Sequence, residues 1–244
     1  MISVCMATFN GEKYLTRQLD TILQQLGKED ELIISDDSST DRTVDIIRSY
    51  HDNRIKLLEK GQFRSPVFNM ENAIKKAKGH YIFLADQDDV WLSGRVAKMV
   101  DKLQKYDLVV CNAFIVDAEE NIVHESYFEW KGSGIGFWRN LKKNSFLGCC
   151  MAFNQKILNI VLPFPKSIVM HDIWIGLLAE QFGRILFLQD QLILYRRHSD
   201  NFTAAISRDD EHLSDFSLAF KIKYRFYFLV QVIKRYINKN ILKI

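Results

Sequence analysis

The sequence predicts an α/β fold, a mixed but mainly parallel sheet flanked by helices, with a helical appendage at its C-terminal end. Three observations predict it. Short apolar runs alternate with stretches of helical periodicity through the first half of the chain. The connections between successive runs are a dozen residues or more, long enough for parallel crossovers with helices on both faces. Polar clusters fall where the runs end, and ligands bind such sheets at the carboxyl ends of strands.

In order along the chain, residues 2–7 (Ile-Ser-Val-Cys-Met-Ala) suit a buried strand, and Thr8-Phe9-Asn10-Gly11 is a turn. Leu15, Leu19, Ile22, Leu23 and Leu26 then recur at helical spacing. Residues 32–35 form a second strand, followed by an acidic turn and a helix marked by Val44, Ile46, Ile47 and Tyr50, with Ser39 or Thr40 as its cap. Residues 55–58 are a third strand, residues 67–78 a helix stopped by Gly79, and residues 81–85 a fourth strand. The second half is less regular. Strands are expected at 108–111, at 147–153, and as a hairpin at 114–117 and 121–124, with a glycine-rich loop at 132–136. Pro163 and Pro165 bracket a loop leading to a helix that begins at Asp172. Strands at 185–188 and 192–195 precede Arg196-Arg197-His198, and residues 199–212 read as a polar loop. One domain (1–212) followed by a basic helical tail (213–244) is the economical parse.

Composition bounds the function. The chain has 244 residues, 48% hydrophobic and 26% charged, which excludes a disordered or low-complexity protein. A net charge of +3 is too small to argue for nucleic acid. Its distribution is uneven. From residue 215 onward seven Lys/Arg face one acid, Asp215, which leaves −3 on the preceding residues. Cys5, Cys111, Cys149 and Cys150 show no CxxC spacing and read as buried thiols of a reducing compartment. On a strand, Cys149 and Cys150 would point to opposite faces, which argues against a metal site there. No charged n-region with an apolar core opens the chain, and no run reaches the ~18 uncharged apolar residues of a membrane span. A cytoplasmic location is expected.

Four clusters carry chemistry. Asp86-Gln87-Asp88-Asp89 places three carboxylates in four residues at a strand end. They repel one another unless a cation sits among them, and oxygen donors suit Mg²⁺ or Mn²⁺. A solvated turn with a helix cap is the alternative. Asp36-Asp37-Ser38-Ser39-Thr40-Asp41 is either an elaborate helix cap or a carboxylate site for a base or ribose. Asp172, after His171, is a helix-start acid. Arg196-Arg197-His198 is a solvated basic turn or a phosphate or metal contact. The first turn has neither the Rossmann nor the P-loop glycine spacing. Trp91, Trp138 and Trp174 either line a sugar site or pack in the core.

Together, in this order, these motifs resemble family 2 of the glycosyltransferases, inverting nucleotide-sugar enzymes of GT-A fold, over roughly residues 2–203. The resemblance implies that Thr8 and Asn10 belong to the nucleotide loop and that Asp37, with Asp36, holds the nucleobase. It further implies Asp88 on a divalent cation (Mg²⁺ or Mn²⁺), Asp86 near the ribose or the metal, and Asp172 as catalytic base. Tyr195-Arg196-Arg197-His198 resembles the late motif that closes over the diphosphate, with Arg197 on phosphate and His198 on the metal. His171 stands where the family usually has an acid. Asp-Gln-Asp-Asp-Val-Trp with His-Asp-Ile-Trp is most similar to bacterial surface-polysaccharide transferases, rhamnosyltransferase-like members included, which implies dTDP-rhamnose as donor and a lipid-linked or polysaccharide acceptor.

The tail interleaves Lys221, Lys223, Arg225, Lys234, Arg235 and Lys239 with aromatic and aliphatic residues. It suits peripheral contact with the inner face of an anionic plasma membrane, or packing on its own domain or on the second subunit of a homodimer. Two rival functions stand: a nucleotidyltransferase, which calls for a basic, glycine-rich first turn that residues 7–11 lack, and an idle nucleotide-sugar-binding assembly subunit.

Overall fold

The computed structural model describes residues 1–197 and 218–241, with side chains of 223–237 in the second span. Strands β1 (Ile2–Thr8), β2 (Glu31–Asp36), β3 (Ile55–Leu58) and β4 (Tyr81–Ala85) pair in parallel, in the order β3-β2-β1-β4. Helices α1 (Leu15–Leu23), α2 (Thr43–Ser49) and α3 (Pro66–Ile74) make the crossovers. β1 and β2 are buried almost end to end, the pattern of strands covered on both faces. α3 starts on the extended residue Ser65 with Pro66 at its first position, where the missing N–H costs nothing.

The sheet then changes character. It continues with β8 (Met151–Asn154), antiparallel to both β4 and β6 (Leu108–Val116), then β9 (Ile185–Arg196), parallel to β6, and β5 (Val90–Trp91) at its edge. β7 (Ile122–His124) hangs on β6. Helices α4 (Arg95–Leu103), α5 (Tyr127–Lys131), α6 (Phe137–Lys142), α7 (Gln155–Val161) and α8 (His171–Phe182) complete this half. The tail contributes α9 (Leu218–Ile241).

Several expectations are corrected by this arrangement. The strands expected at 185–188 and 192–195 are one strand, whose pairing with β6 slips near Asn112. Those irregularities break the period-2 pattern on which a sequence reading depends. Residues 147–153 are not a strand throughout: Gly148–Cys150 is a 3₁₀ turn leading into β8. Neither Ser39 nor Thr40 caps α2. The cap position falls on Arg42, and Asp41 just before it accepts from the Thr43 amide at 3.0 Å, while Ser39 donates to Asp36. Trp91 and Trp174 are core residues, and Trp174 Nε1 donates to the Val161 carbonyl at 2.9 Å. Trp138 is exposed.

α8 lies against Phe146, whose ring comes within 2.3 Å of where a Cβ on Gly176 would stand. Only glycine allows that approach. Phe228 and Val232 of α9 are buried, and the Phe228 ring meets Trp174 of α8 edge-on at 6.3 Å. All four cysteines are buried free thiols.

Candidate active site

The loops after β1, β2 and β4 meet at the carboxyl edge of the sheet. Their polar residues divide into those that build the turns and those that face outward. Asp36 builds: its carboxylate accepts from Thr8 Oγ1 at 2.9 Å, Ser39 N at 2.8 Å and Ser39 Oγ at 2.6 Å. Asn10, in the left-handed region at φ 48°, also builds, accepting from the Thr40 amide at 2.8 Å. Asp37 faces outward, its Oδ1 accepting from Phe63 N at 2.7 Å. Gln87 ties the first loop to the fourth by a reciprocal pair with the backbone of Phe9, at 2.9 and 3.1 Å.

A cleft of about 630 Å³ opens above this edge. Thr8, Asp37, Asp86, Asp88 and Asp172 all line it, so carboxylates from separated stretches of the chain share one cavity. Asp36, Asn10 and Arg197 are not on its wall; the oxygens of Asp36 are committed within the turn, whereas Asp37 faces the cleft. Arg197 sits with its guanidinium 5.1 Å from the Trp130 ring. His198 lies outside the described residues.

Burial, with the neighbouring Asp88 and Asp172, pushes the Asp86 carboxyl up to about 7. Asp89 is raised well above the ordinary carboxylate range, again first by burial. Its Oδ1 accepts from Arg196 N at 2.9 Å, and its Oδ2 is buried without a hydrogen-bond partner among the described residues. Asp86, Asp89 and Cys149 offer ligand atoms all within 4.8 Å of one another. The expectation that strand alternation keeps Cys149 away from a metal is corrected, because the 3₁₀ turn, unlike a strand, aims this thiol at the two acids. An orphaned buried oxygen among crowded carboxylates is a cation-seeking arrangement. Asp86 and Asp88 present hard oxygen donors to the cleft, and burial pushes the Cys149 thiol up.

Asp172 occupies the first turn of α8. Its Oδ1 accepts from Ile173 N at 2.7 Å and its Oδ2 from Asn144 Nδ2 at 3.1 Å. Burial raises its carboxyl to about 6, which leaves it ionised at neutral pH yet basic enough to take a proton. Beside it, burial lowers His171 to about 4, so its imidazole is neutral. Asn144→Ala is expected to move the acid limb of the kcat–pH profile up by about one unit. The amide donor favours the ionised form, and a hydrogen bond to a charged group contributes roughly 1.5–3 kcal/mol against 1.36 per pK unit. An unmoved limb would show that Asn144 does not set the Asp172 ionisation.

Two further basic residues bear on the site: Arg64, which carries no signal in the sequence, and Arg196, whose task within the basic turn the sequence does not distinguish. Arg64, on an irregular loop at φ 49°, brings a cation to the cleft wall. Arg196, the neighbour of Arg197, is only 2% exposed. It donates to the carbonyls of Asp88 and Ala118 at 2.8 and 2.7 Å and to Glu120 at 2.9 Å. That side chain braces the acidic loop from behind.

Comparison with known proteins agrees with this geometry. The profile of Glycosyl transferase family 2 matches residues 3–161. The dTDP-rhamnosyl transferase RfbG of Shigella flexneri is 25% identical over 98% of this chain and 83% of its own length. WfgD of Escherichia coli, a UDP-Glc:α-D-GlcNAc-diphosphoundecaprenol β-1,3-glucosyltransferase, is 24% identical over 74% of this chain and 70% of its own. Among solved structures, Staphylococcus aureus TarS 1–349 with UDP superposes with a TM-score of 0.65 at 21% identity, covering 93% of this chain and 70% of TarS. The mannosyltransferase PcManGT of Pyrobaculum calidifontis, with GDP-Man and Mn²⁺, does so at 0.65 and 19%, covering 87% and 61%. The fold is the expected GT-A arrangement. With a strand-end acidic cleft on that sheet and a profile match over more than half its length, this chain belongs to glycosyltransferase family 2.

Proposed function

We propose that this glycosyltransferase moves a sugar, with inversion, from a nucleoside-diphosphate donor to a hydroxyl of a lipid-linked or polysaccharide acceptor in bacterial surface-glycan synthesis. One observation carries the reading: Asp37, Asp86, Asp88 and Asp172 line the same cleft. Asp37 takes the nucleobase. Asp86 and Asp88 hold a divalent cation, Mg²⁺ or Mn²⁺, which when bound offsets the charge of the nucleoside-diphosphate leaving group. The Mn²⁺ in PcManGT supports that assignment. Asp172 takes the proton from the acceptor hydroxyl, whose oxygen attacks the anomeric carbon from the face opposite the leaving group. One carboxylate suffices, since the leaving group is already activated and no second acid is needed. Arg64 supplies positive charge on the donor side.

The likeness to RfbG supports dTDP-rhamnose as donor, while WfgD is a UDP-Glc enzyme. Thermal-shift titration against dTDP-rhamnose, UDP-glucose and UDP-GlcNAc, each with Mn²⁺, tests this directly. The prediction is one donor raising Tm well above the rest, with dTDP-rhamnose leading; no shift with any nucleotide sugar would overturn the function. The acceptor reading carries a location with it, the inner face of a membrane, with residues 213–244 serving as an attachment element distinct from the catalytic domain. No described helix is long and apolar enough to cross a membrane.

A further inference from the structure

We infer that the outer face of α9 is a docking surface for an anionic lipid bilayer, and that its inner face ties docking to the acceptor side of the cleft. The inference deepens the lipid-linked-acceptor reading and rests on it for its purpose, though not for its test.

The outer face is apolar and, among the described residues, uncovered. Phe226, Val230, Ile233 and Ile237 recur at i, i+4, i+7 and i+11, a single stripe along the helix. Phe226 is 65% exposed, and Ile233 and Ile237 are each 47% exposed. Phe228 and Val232, on the opposite side, fill the interface with the domain, so the helix has one satisfied apolar face and one unsatisfied. A stripe of this kind on a helix already anchored calls for a second apolar phase.

Charge selects the phase. The segment 218–241 has no Asp or Glu. Its basic residues serve two purposes. Arg225 and Arg235 turn inward, donating to the carbonyls of Lys142, Leu162 and Pro163 at 2.5–2.6 Å. Lys223 and Lys234 are exposed and, eleven residues apart, share one flank of the stripe. Aliphatic and aromatic side chains beside aligned lysines match the acyl and headgroup layers of a negatively charged leaflet.

The inner face reaches the site. Tyr224 Oη accepts from Val169 N at 3.2 Å and Tyr227 Oη from Ser167 N at 3.3 Å. Val169, Met170, His171 and Asp172 follow one another along the cleft wall. α9 therefore grips the segment that leads into the base, and a bilayer seated on its outer face lies beside the entrance a lipid-linked acceptor would use.

Co-sedimentation of the full chain with vesicles tests the inference. Wild type should pellet with phosphatidylglycerol-containing vesicles at 0.15 M salt, weakly with pure phosphatidylcholine, and less at 0.5 M salt. Phe226→Ser/Ile233→Ser and Lys223→Glu/Lys234→Glu should each lower partitioning about tenfold or more. Nucleotide-induced Tm shifts in both variants should match wild type, which excludes misfolding as the cause. Failure of wild type to pellet, or variants that pellet equally, would overturn docking. So would a concentration-dependent dimer that the Phe226→Ser/Ile233→Ser variant abolishes, since a second copy would then own the face. Wild type that pellets but transfers no sugar would sink the enzymatic reading and leave docking intact.

Discussion

Asp172→Asn is expected to abolish sugar transfer, lowering kcat by ~10²–10⁴-fold, while donor affinity stays near wild type. The substitution keeps the size of the side chain and its place in the first turn of α8, and Oδ1 can still accept from Ile173 N. The basicity is lost, and with it the bond from Asn144 Nδ2, which then faces an amide nitrogen in place of Oδ2. Because burial raises the wild-type carboxyl to about 6, wild-type kcat should itself fall as pH drops through that value. The same shift has a stability consequence of definite sign. The folded pKa lies above the ordinary 3.8, so between about pH 4 and 6 the folded state holds more protons than the unfolded chain, and stability declines as pH rises through that window. The asparagine variant lacks this penalty. Its Tm should therefore gain on wild type from pH 4 to pH 6 and hold the advantage above. Retention of activity within tenfold, or parallel loss of donor binding, would point to a structural role for Asp172.

Asp88→Ala should remove the second large effect, the Mn²⁺-dependent rise in Tm produced by a nucleoside diphosphate. Transfer should fall on the order of 10²-fold or more, the scale of losing one preorganised electrostatic contact to the leaving group. Asp88 lines the cleft, whereas Asp89 next to it is buried and accepts from Arg196 N. Adjacent carboxylates thus differ in setting, Asp88 on the cleft wall and Asp89 buried behind it against β9. An unchanged Mn²⁺-dependent shift in the variant would remove Asp88 from the metal assignment.

Parts of this arrangement are legible in the chain. The first, second and fourth strands and the turns after them can be read because parallel strands buried on both faces are nearly uninterrupted apolar runs, and each ends in polar residues; β3, at the sheet edge, is only partly buried. The start of α8 is readable for the same local reason, a polar pair before an apolar periodic segment. β5 leaves no comparable signal, because a two-residue strand has no period, whereas α4 and α7 do carry local ones: Val96, Met99, Val100 and Leu103 at helical spacing, and Asn154 as a cap that accepts from Ile157 N.

The site shows where local signals stop. Asp36 and Asp37 are indistinguishable in sequence, and what separates them is that Thr8 and Ser39 converge on one and Phe63 on the other. Arg196 and Arg197 are likewise equivalent as letters, yet one is buried against the acidic loop and the other lies by Trp130. Asn144 reaches Asp172 across 28 residues from a segment with no motif.

By itself, the sequence determined the order of the first four strands and the helices between them, the residue types at each strand end, and the family. The tertiary structure alone decided which carboxylates face the cleft, which brace it, and which face of α9 stays open. The division has a physical cause. Backbone preference and apolar periodicity act over a few residues, whereas the burial and hydrogen bonding that set a side chain's charge and direction come from partners far along the chain.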